Sequence, residues 1–464
     1  MNFRMLMWRL SLATMLFIPV AGLGQQATGG EPQAPEEAQP GEVTTPPTPL
    51  TGVEGFTPGS QSQVRNYVRP SLQLFETGDS NFQVGSGPQT FETESSAIGA
   101  LALKRGGKAN EFVLNYLGGG TLYTHHSELD YTMHQLGMTA TLQGRRWGLI
   151  LDDRATYMPE SPFGFAGFGW GGSLGLGLGG ALGSNLLPLN PVYNPAQSLI
   201  TGRGSRIMNV ATSQVSYTAG PRSTFTIAGS YGLLDFRTPG SINCRNALFS
   251  LGYNRNLTAR DTIGVSYGYN AFQFQGLNAS FSTQFAQLTY GHHITGRLSV
   301  SGGGGPQLSA FPARLAGTRT TTNSWVANGS FNYLTSRNAL ALTYSRYTSN
   351  GGGVFVGAET QYLTFNWSRQ LTRNWSGFLE PGYARNQNLA QSTPRGQQYT
   401  YNTAFGTASL SRALGRYTTM FLLYDWQTQR FQQVSCPTSE CRTNVLRHIV
   451  TFGFDWHPRQ ILVD

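Results

Sequence analysis

The sequence predicts an all-β chain, a transmembrane antiparallel up-and-down β-barrel of about eighteen strands, with about sixteen compatible with the same pattern. Three observations predict it. From about Val68 to His457, stretches of roughly ten residues alternate apolar with small polar side chains. The turn signals between them alternate short with long, and an apolar leader precedes the whole array. Beyond that leader there is no run of about 20 apolar residues, so helical spans are excluded. A closed sheet is the remaining way to satisfy every backbone group in lipid.

The leader, residues 1–24, reads as a signal peptide. Arg4 and Arg9 form its basic region, Leu10 to Val20 its apolar core, and Gly22-Leu23-Gly24 the small-residue cleavage site before Gln25. Residues 25–60 follow as a Pro- and Glu-rich segment that cannot bury a core and is expected to be a disordered periplasmic linker. The barrel then occupies 61–464. Export places the chain in an oxidising compartment, where Cys436 and Cys441, flanking Pro437-Thr438-Ser439-Glu440, are a candidate disulfide. Cys244 is left over, free or paired elsewhere.

Period-two alternation is clearest where Ile263, Val265, Tyr267 and Tyr269 interleave with Gly264, Ser266, Gly268 and Asn270. Leu363, Phe365 and Trp367 against Thr364, Asn366 and Ser368 repeat the pattern. The same alternation serves a soluble sandwich with an apolar core or a membrane barrel with an apolar outside. The Gly, Ser, Thr and Asn of the polar face, the Tyr or Trp at strand ends and a charged content of only 12% favour the barrel. Short connections are expected at 105–110, 144–146, 220–223, 256–261, 295–297, 336–338, 372–374 and 415–416. Long ones are expected near 78–93, 122–130, 159–205, 237–243, 274–280, 312–322, 349–356, 387–398 and 429–443.

The final strand, Val445 to Trp456, sets Val450, Phe452, Phe454 and Trp456 on one face. It resembles the aromatic-rich closing strand of Gram-negative outer-membrane β-barrel proteins, although the usual terminal Phe is absent and His457 to Asp464 run on beyond it. The turn phrases Leu257-Thr258-Ala259-Arg260 and Leu371-Thr372-Arg373-Asn374 are similar to those of large barrels associated with envelope polysaccharide export. The resemblance implies outer-membrane location, contact with lipid and lipopolysaccharide, handling by the barrel-assembly machinery, and a periplasmic or polysaccharide-export partner.

The formal charge is +9, carried almost wholly by Arg, much of it at the short turns. Those Arg either serve simply as polar turn residues or grip inner-leaflet phosphates. By parity Asp152, Arg154, Glu380, Asp425 and Asp455 point into the lumen, with Asp425 and Asp455 facing each other. The positive total predicts a weak anion preference. The longest connection carries Phe163, Phe165, Phe168, Trp170, Leu186 and Tyr193 and is the candidate constriction, if it folds inward, or an outer flap, if it does not.

His125, His126, Ser127 and Asp130 fall together in one outer loop, the composition a rim hydrolase would need, but no spacing fixes a base and nucleophile. His292 and His293 lack metal-ligand spacing, and no cofactor or nucleic-acid motif is present. The function expected is therefore a porin-like channel for small solutes or envelope polysaccharide, not an enzyme. A structural or adhesion barrel is the alternative and a rim hydrolase the distant one.

Overall fold

The computed structural model describes residues 66–82, 91–107, 109–158, 205–237, 241–275, 279–312, 320–389, 399–431 and 444–463. They form eighteen long antiparallel strands, each bonded to its sequence neighbours, with the first and last paired to close the ring. In order these are β1 (Tyr67–Asp79), β2 (Glu92–Gly106), β3 (Asn110–Tyr123), β4 (Tyr131–Gln143), β5 (Trp147–Met158) and β6 (Arg206–Gly220). Next come β7 (Ser223–Phe236), β8 (Cys244–Asn256), β9 (Asp261–Phe274), β10 (Ala279–Thr295), β11 (Leu298–Phe311) and β12 (Thr320–Leu334). The rest are β13 (Asn338–Ser349), β14 (Ala358–Gln370), β15 (Trp375–Asn388), β16 (Thr400–Ala413), β17 (Thr418–Phe431) and β18 (Asn444–Trp456). The count is eighteen, not sixteen, and every short and long connection falls where the turn signals put it.

Alternation becomes inside and outside, because successive side chains leave a strand on opposite faces. Leu72, Ile227, Val265, Leu288 and Leu422 project outward and are largely exposed, as lipid-facing residues would be. Two outward aromatic belts bound this apolar band. One, at the short-turn end, includes Trp147, Tyr217, Tyr290, Tyr333 and Trp456; the other includes Tyr116, Tyr157, Tyr269, Trp325 and Tyr383. The inner face carries Gln73, Thr77, Asn246, Asn270, Thr403 and Gln427, all buried.

Four of the eight short turns share one device. The Thr258 hydroxyl accepts from the amides of Arg260 (3.0 Å) and Asp261 (3.0 Å). Thr295 does the same for Arg297 and Leu298, Thr335 for Asn338, and Thr372 for Trp375. A side-chain oxygen thus holds the amides that the tight turn leaves without a strand partner, and the following Arg is free to point to water. At Asp261 the turn is further closed by Tyr290 (2.6 Å) and His292 (2.7 Å); hydrogen bonds from Thr258, Tyr290 and His292 hold its carboxyl down at about 2.

Closure is specific. The β1–β18 ladder runs from Leu72↔Trp456 to Asp79↔Ile449, and Thr77 and Thr451 share a hydrogen bond of 3.0 Å across it. The residues past the closing strand are not idle. A two-residue strand, β19 (Ile461–Leu462), pairs with Tyr67 and Val68, and the Val463 amide donates to Asn66. Among the described residues Cys244 is buried and unbridged. Cys436 and Cys441 lie outside the described residues.

Candidate functional site: an apolar collar and an inward loop

At the long-loop end the inner face changes character. On β9, Tyr267 and Tyr269 point outward, but the apolar residues then shift phase, and Phe272 and Phe274 point inward. The same shift puts Met208 of β6, Leu234 and Phe236 of β7, Phe281 of β10, Phe311 of β11 and Tyr401 of β16 inside. Phe281 stacks on Phe272 with ring centroids 4.6 Å apart and on Phe311 at 5.4 Å. Tyr401 meets Phe431 at 4.6 Å. The barrel therefore carries an apolar collar inside its outer mouth, where alternation alone would have continued a polar wall.

The connection between β13 and β14, residues 350–357, is buried and folds into this collar. Its shape is set by glycine: Gly351, Gly352, Gly353 and Gly357 all have positive φ, between 63° and 84°, a region that costs other residues a Cβ clash. The Gly351 carbonyl accepts from the Val354 and Phe355 amides, each at 3.1 Å, and this tight turn presents Val354, Phe355 and Val356 as an apolar tip. Phe355 packs with Tyr401 at 5.5 Å and in one cluster with Val354, Tyr399 and Phe431. Val356 packs instead on the cluster of Phe272, Phe274, Phe281 and Phe311. The Gly353 carbonyl accepts from Ile242 at 2.9 Å, and the Gly357 carbonyl from Leu389 at 3.3 Å. The loop thus touches both β7 and β17, eight strands apart by the shorter way round the ring.

This segment was expected only as one long connection among several. The detectable signal was Gly351-Gly352-Gly353 before three apolar residues, an unusual composition for a solvated loop. The expected constriction residues Phe163, Phe165, Phe168, Trp170, Leu186 and Tyr193 lie outside the described residues.

The charges expected in the lumen are all on the inner face, and two of them, Asp152 and Arg154, pair with each other. Asp152 and Arg154 of β5 bridge each other at 2.9 Å, and Thr139 of β4 donates to Asp152 at 2.7 Å. Arg447 of β18 donates through Nε to Asp79 of β1 at 2.8 Å, a buried pair that sequence reasoning missed. Glu380, Thr407 and Asp425 form one row across β15, β16 and β17, with Thr407 donating to Asp425 at 2.5 Å. Asp455 does not face Asp425. Along β18 the residue opposite Asp425 is Ile449, whereas Asp455 is itself on β18, beside His457 at 3.3 Å. Six residues of strand, roughly 20 Å, separate the two levels.

The inner-face bases among the described residues are Arg69, Lys104, Arg154, Arg206 and Arg447. They are outnumbered by the acids Asp79, Glu92, Glu94, Glu111, Asp152, Glu380, Asp425 and Asp455. The positive total sits elsewhere, in turn residues such as Arg260, Arg297 and Arg337 and on the outer wall. A weak anion preference therefore does not follow from it.

In the loop after β3, both imidazoles serve one buried carboxylate. Glu92 accepts from His126 at 2.5 Å and from the His125 ring at 3.2 Å and amide at 3.1 Å. Burial alone would raise this carboxyl, but the bonds from His126, His125 and Thr93 outweigh it and hold it at about 2. The Asp130 carboxylate caps the Tyr123 amide at 2.8 Å, and the Ser127 carbonyl accepts from the Asp130 amide. The four residues close a loop. Among the described residues no group of three His, Cys, Asp or Glu has metal-site geometry.

A closed antiparallel ring with an apolar outer band, aromatic belts and an inner polar face defines the class: a large transmembrane β-barrel of the outer-membrane type. No protein-family model and no curated protein matches the chain. Among solved structures it is similar to Pseudomonas aeruginosa OccK2 (OpdF), at 9% identity and a TM-score of 0.44, covering 84% of this chain and 98% of that one. P. aeruginosa OpdQ is similar at 11% identity and a TM-score of 0.44, covering 85% and 98%. P. aeruginosa OpdL follows at 12% identity and 0.43, covering 85% and 99%.

Proposed function

We propose that the chain is a porin-like outer-membrane channel for small solutes whose constriction is the 350–357 loop seated in the apolar collar. The observation that supports it is the burial of Val354 and Phe355 against the inner faces of β16 and β17 while Val356 packs on those of β9 to β11. An adhesion loop would project outward; this one turns into the lumen. About eighteen strands enclose a space wider than side chains fill, so a loop is the economical way to narrow it. The acid excess on the inner face supports a preference for cations over anions.

The same reading takes residues 1–24 as a removed signal peptide and 25–60 as a periplasmic linker. It places lipopolysaccharide against the outer belt and assigns the aromatic closing strand to recognition by the barrel-assembly machinery. The linker is where a periplasmic or polysaccharide-export partner would engage. No step of chemistry is assigned to the His125–His126 loop.

Planar-bilayer recording tests the proposal. Purified barrel gives discrete conductance steps, and deletion of residues 351–356 raises the step size. Absence of steps, or steps unchanged by the deletion, would refute the constriction.

A further inference from the structure

The wall is unevenly zipped. The β11–β12 ladder runs the full length of both strands, up to Phe311↔Thr320, and the β13–β14 ladder runs up to Ser349↔Ala358. The β12–β13 ladder between them stops at Ala327↔Arg346. Among the described residues, Thr320–Val326 has no strand on its β13 side. Beyond Arg346 the end of β13 passes behind β12 on the lumen side, where Thr348 accepts from Gln307 of β11 at 2.5 Å. The chain then enters the inward loop.

A strand edge left open in lipid costs several kcal/mol per unpaired group, so such a gap has to sit at or above the interface or be closed by other means. Both hold here. The gap begins at Val326, beside Trp325, whose ring lies in the outer aromatic belt. It is latched by Arg346, whose Nε donates to the Trp325 carbonyl at 3.2 Å. The guanidinium lies 4.0 Å from the Trp325 ring centroid and pairs with Glu359 of β14 at 2.6 Å. A side chain here does the work that a neighbouring strand does elsewhere. The gap also adjoins the collar, because Phe311, stacked with Phe281 and packed on Val356, is the register partner of Thr320.

Resting on the channel reading, we propose that the β12–β13 seam is a lateral port through which a single-chain amphiphile passes between the apolar collar and the outer leaflet of the membrane. The collar is poor at holding a hydrophilic solute and suited to an alkyl chain. A molecule bound there would leave through the seam itself, past Val326 and the end of β13, into a phase where its tail dissolves. The Arg346–Glu359–Trp325 latch keeps the seam shut when nothing passes.

The test uses the full chain in the outer membrane of cells, with three readouts. Fluorescent dodecanoate reports amphiphile uptake, a diazirine-bearing dodecanoate reports where the tail lies, and vesicle swelling in a small sugar reports the channel itself. Uptake is expected to exceed that of cells without the chain, with photolabel on Val326, Phe311 or Phe281. Glu359→Gln and Arg346→Gln each loosen the latch and are expected to raise uptake about threefold, with the heat-resistant folded band on gels confirming assembly. Sugar passage without dodecanoate uptake overturns the port and leaves the channel standing. Label spread evenly around the outer belt, or uptake indifferent to both substitutions, likewise overturns the port. Loss of both permeabilities overturns the channel reading as well.

Discussion

Gly353, in the loop between β13 and β14, lies flat against the ring of Phe236 at the end of β7, and a Cβ on Gly353 would overlap that ring. Two residues far apart in sequence thus decide whether the loop can seat. With φ at +84°, Gly353 also occupies backbone space that other residues rarely adopt. Gly353→Val is expected to lift the tip out of the collar and raise single-channel conductance toward that of the 351–356 deletion, while the folded band survives heating as before. Unchanged conductance would show that the tip does not narrow the path.

The Asp79–Arg447 pair spans the junction where β18 closes on β1, and both side chains are buried. Removing one partner strands a charge, at a cost of about 3–5 kcal/mol. Arg447→Ala should therefore lower the urea midpoint of the barrel sharply. Asp79→Ala/Arg447→Ala together should recover much of it, since no lone charge remains. A single variant as stable as the parent would mean the pair contributes nothing to closure.

Selectivity follows from which charges face the lumen. In a salt gradient the reversal potential is expected to carry the sign of cation preference. Glu380→Gln with Asp425→Asn, which removes two acids of one row, should reduce the cation-to-anion permeability ratio by about twofold. Anion preference in the parent would contradict the inner-face assignment.

Glu92 gives a pH dependence whose sign can be worked out. Its carboxyl is held at about 2, below the ordinary value of 4.5, so it binds fewer protons folded than unfolded. The stability it contributes is complete above about 4.5 and is lost as pH falls through about 2. Hydrogen exchange at residues 122–130, corrected for intrinsic rates, should stay slow from neutral pH to about 4.5 and quicken below it. Glu92→Gln should exchange about tenfold faster at neutral pH, because the amide supplies one acceptor oxygen where the carboxylate supplied two.

Asp153 stands on the outer face of β5, within the apolar band, and is held by Asn209 of β6 at 2.8 Å. It lies in a groove of about 530 Å³ lined in part by Leu151, Ala211, Gly229 and Tyr231. Acidic residues in lipid are costly, so Asp153→Leu is expected to stabilise the barrel by about 1–2 kcal/mol in urea titration. A loss of stability instead would show that the Asp153–Asn209 bond holds β5 to β6.

The barrel, its strand number within two and the side of the wall on which Asp152, Arg154, Glu380, Asp425 and Asp455 stand were all legible in the residue pattern. These are local properties: a side chain's face repeats every two residues, and a turn is written in the four residues that make it. It also carried the Leu-Thr turn phrases, whose threonines proved to hold the turn amides. What meets inside the barrel was set by packing in three dimensions. That Arg447 finds Asp79, that Asp455 and Asp425 stand at different heights, and that the β12–β13 ladder ends at Ala327 all depend on ring closure and stagger, which no local pattern encodes. The inward seat of residues 350–357 depends on aromatic side chains from strands across the ring. Net charge misled for the same reason, since it counts Arg at the turns equally with the acids of the lumen, and only position relative to the wall separates them.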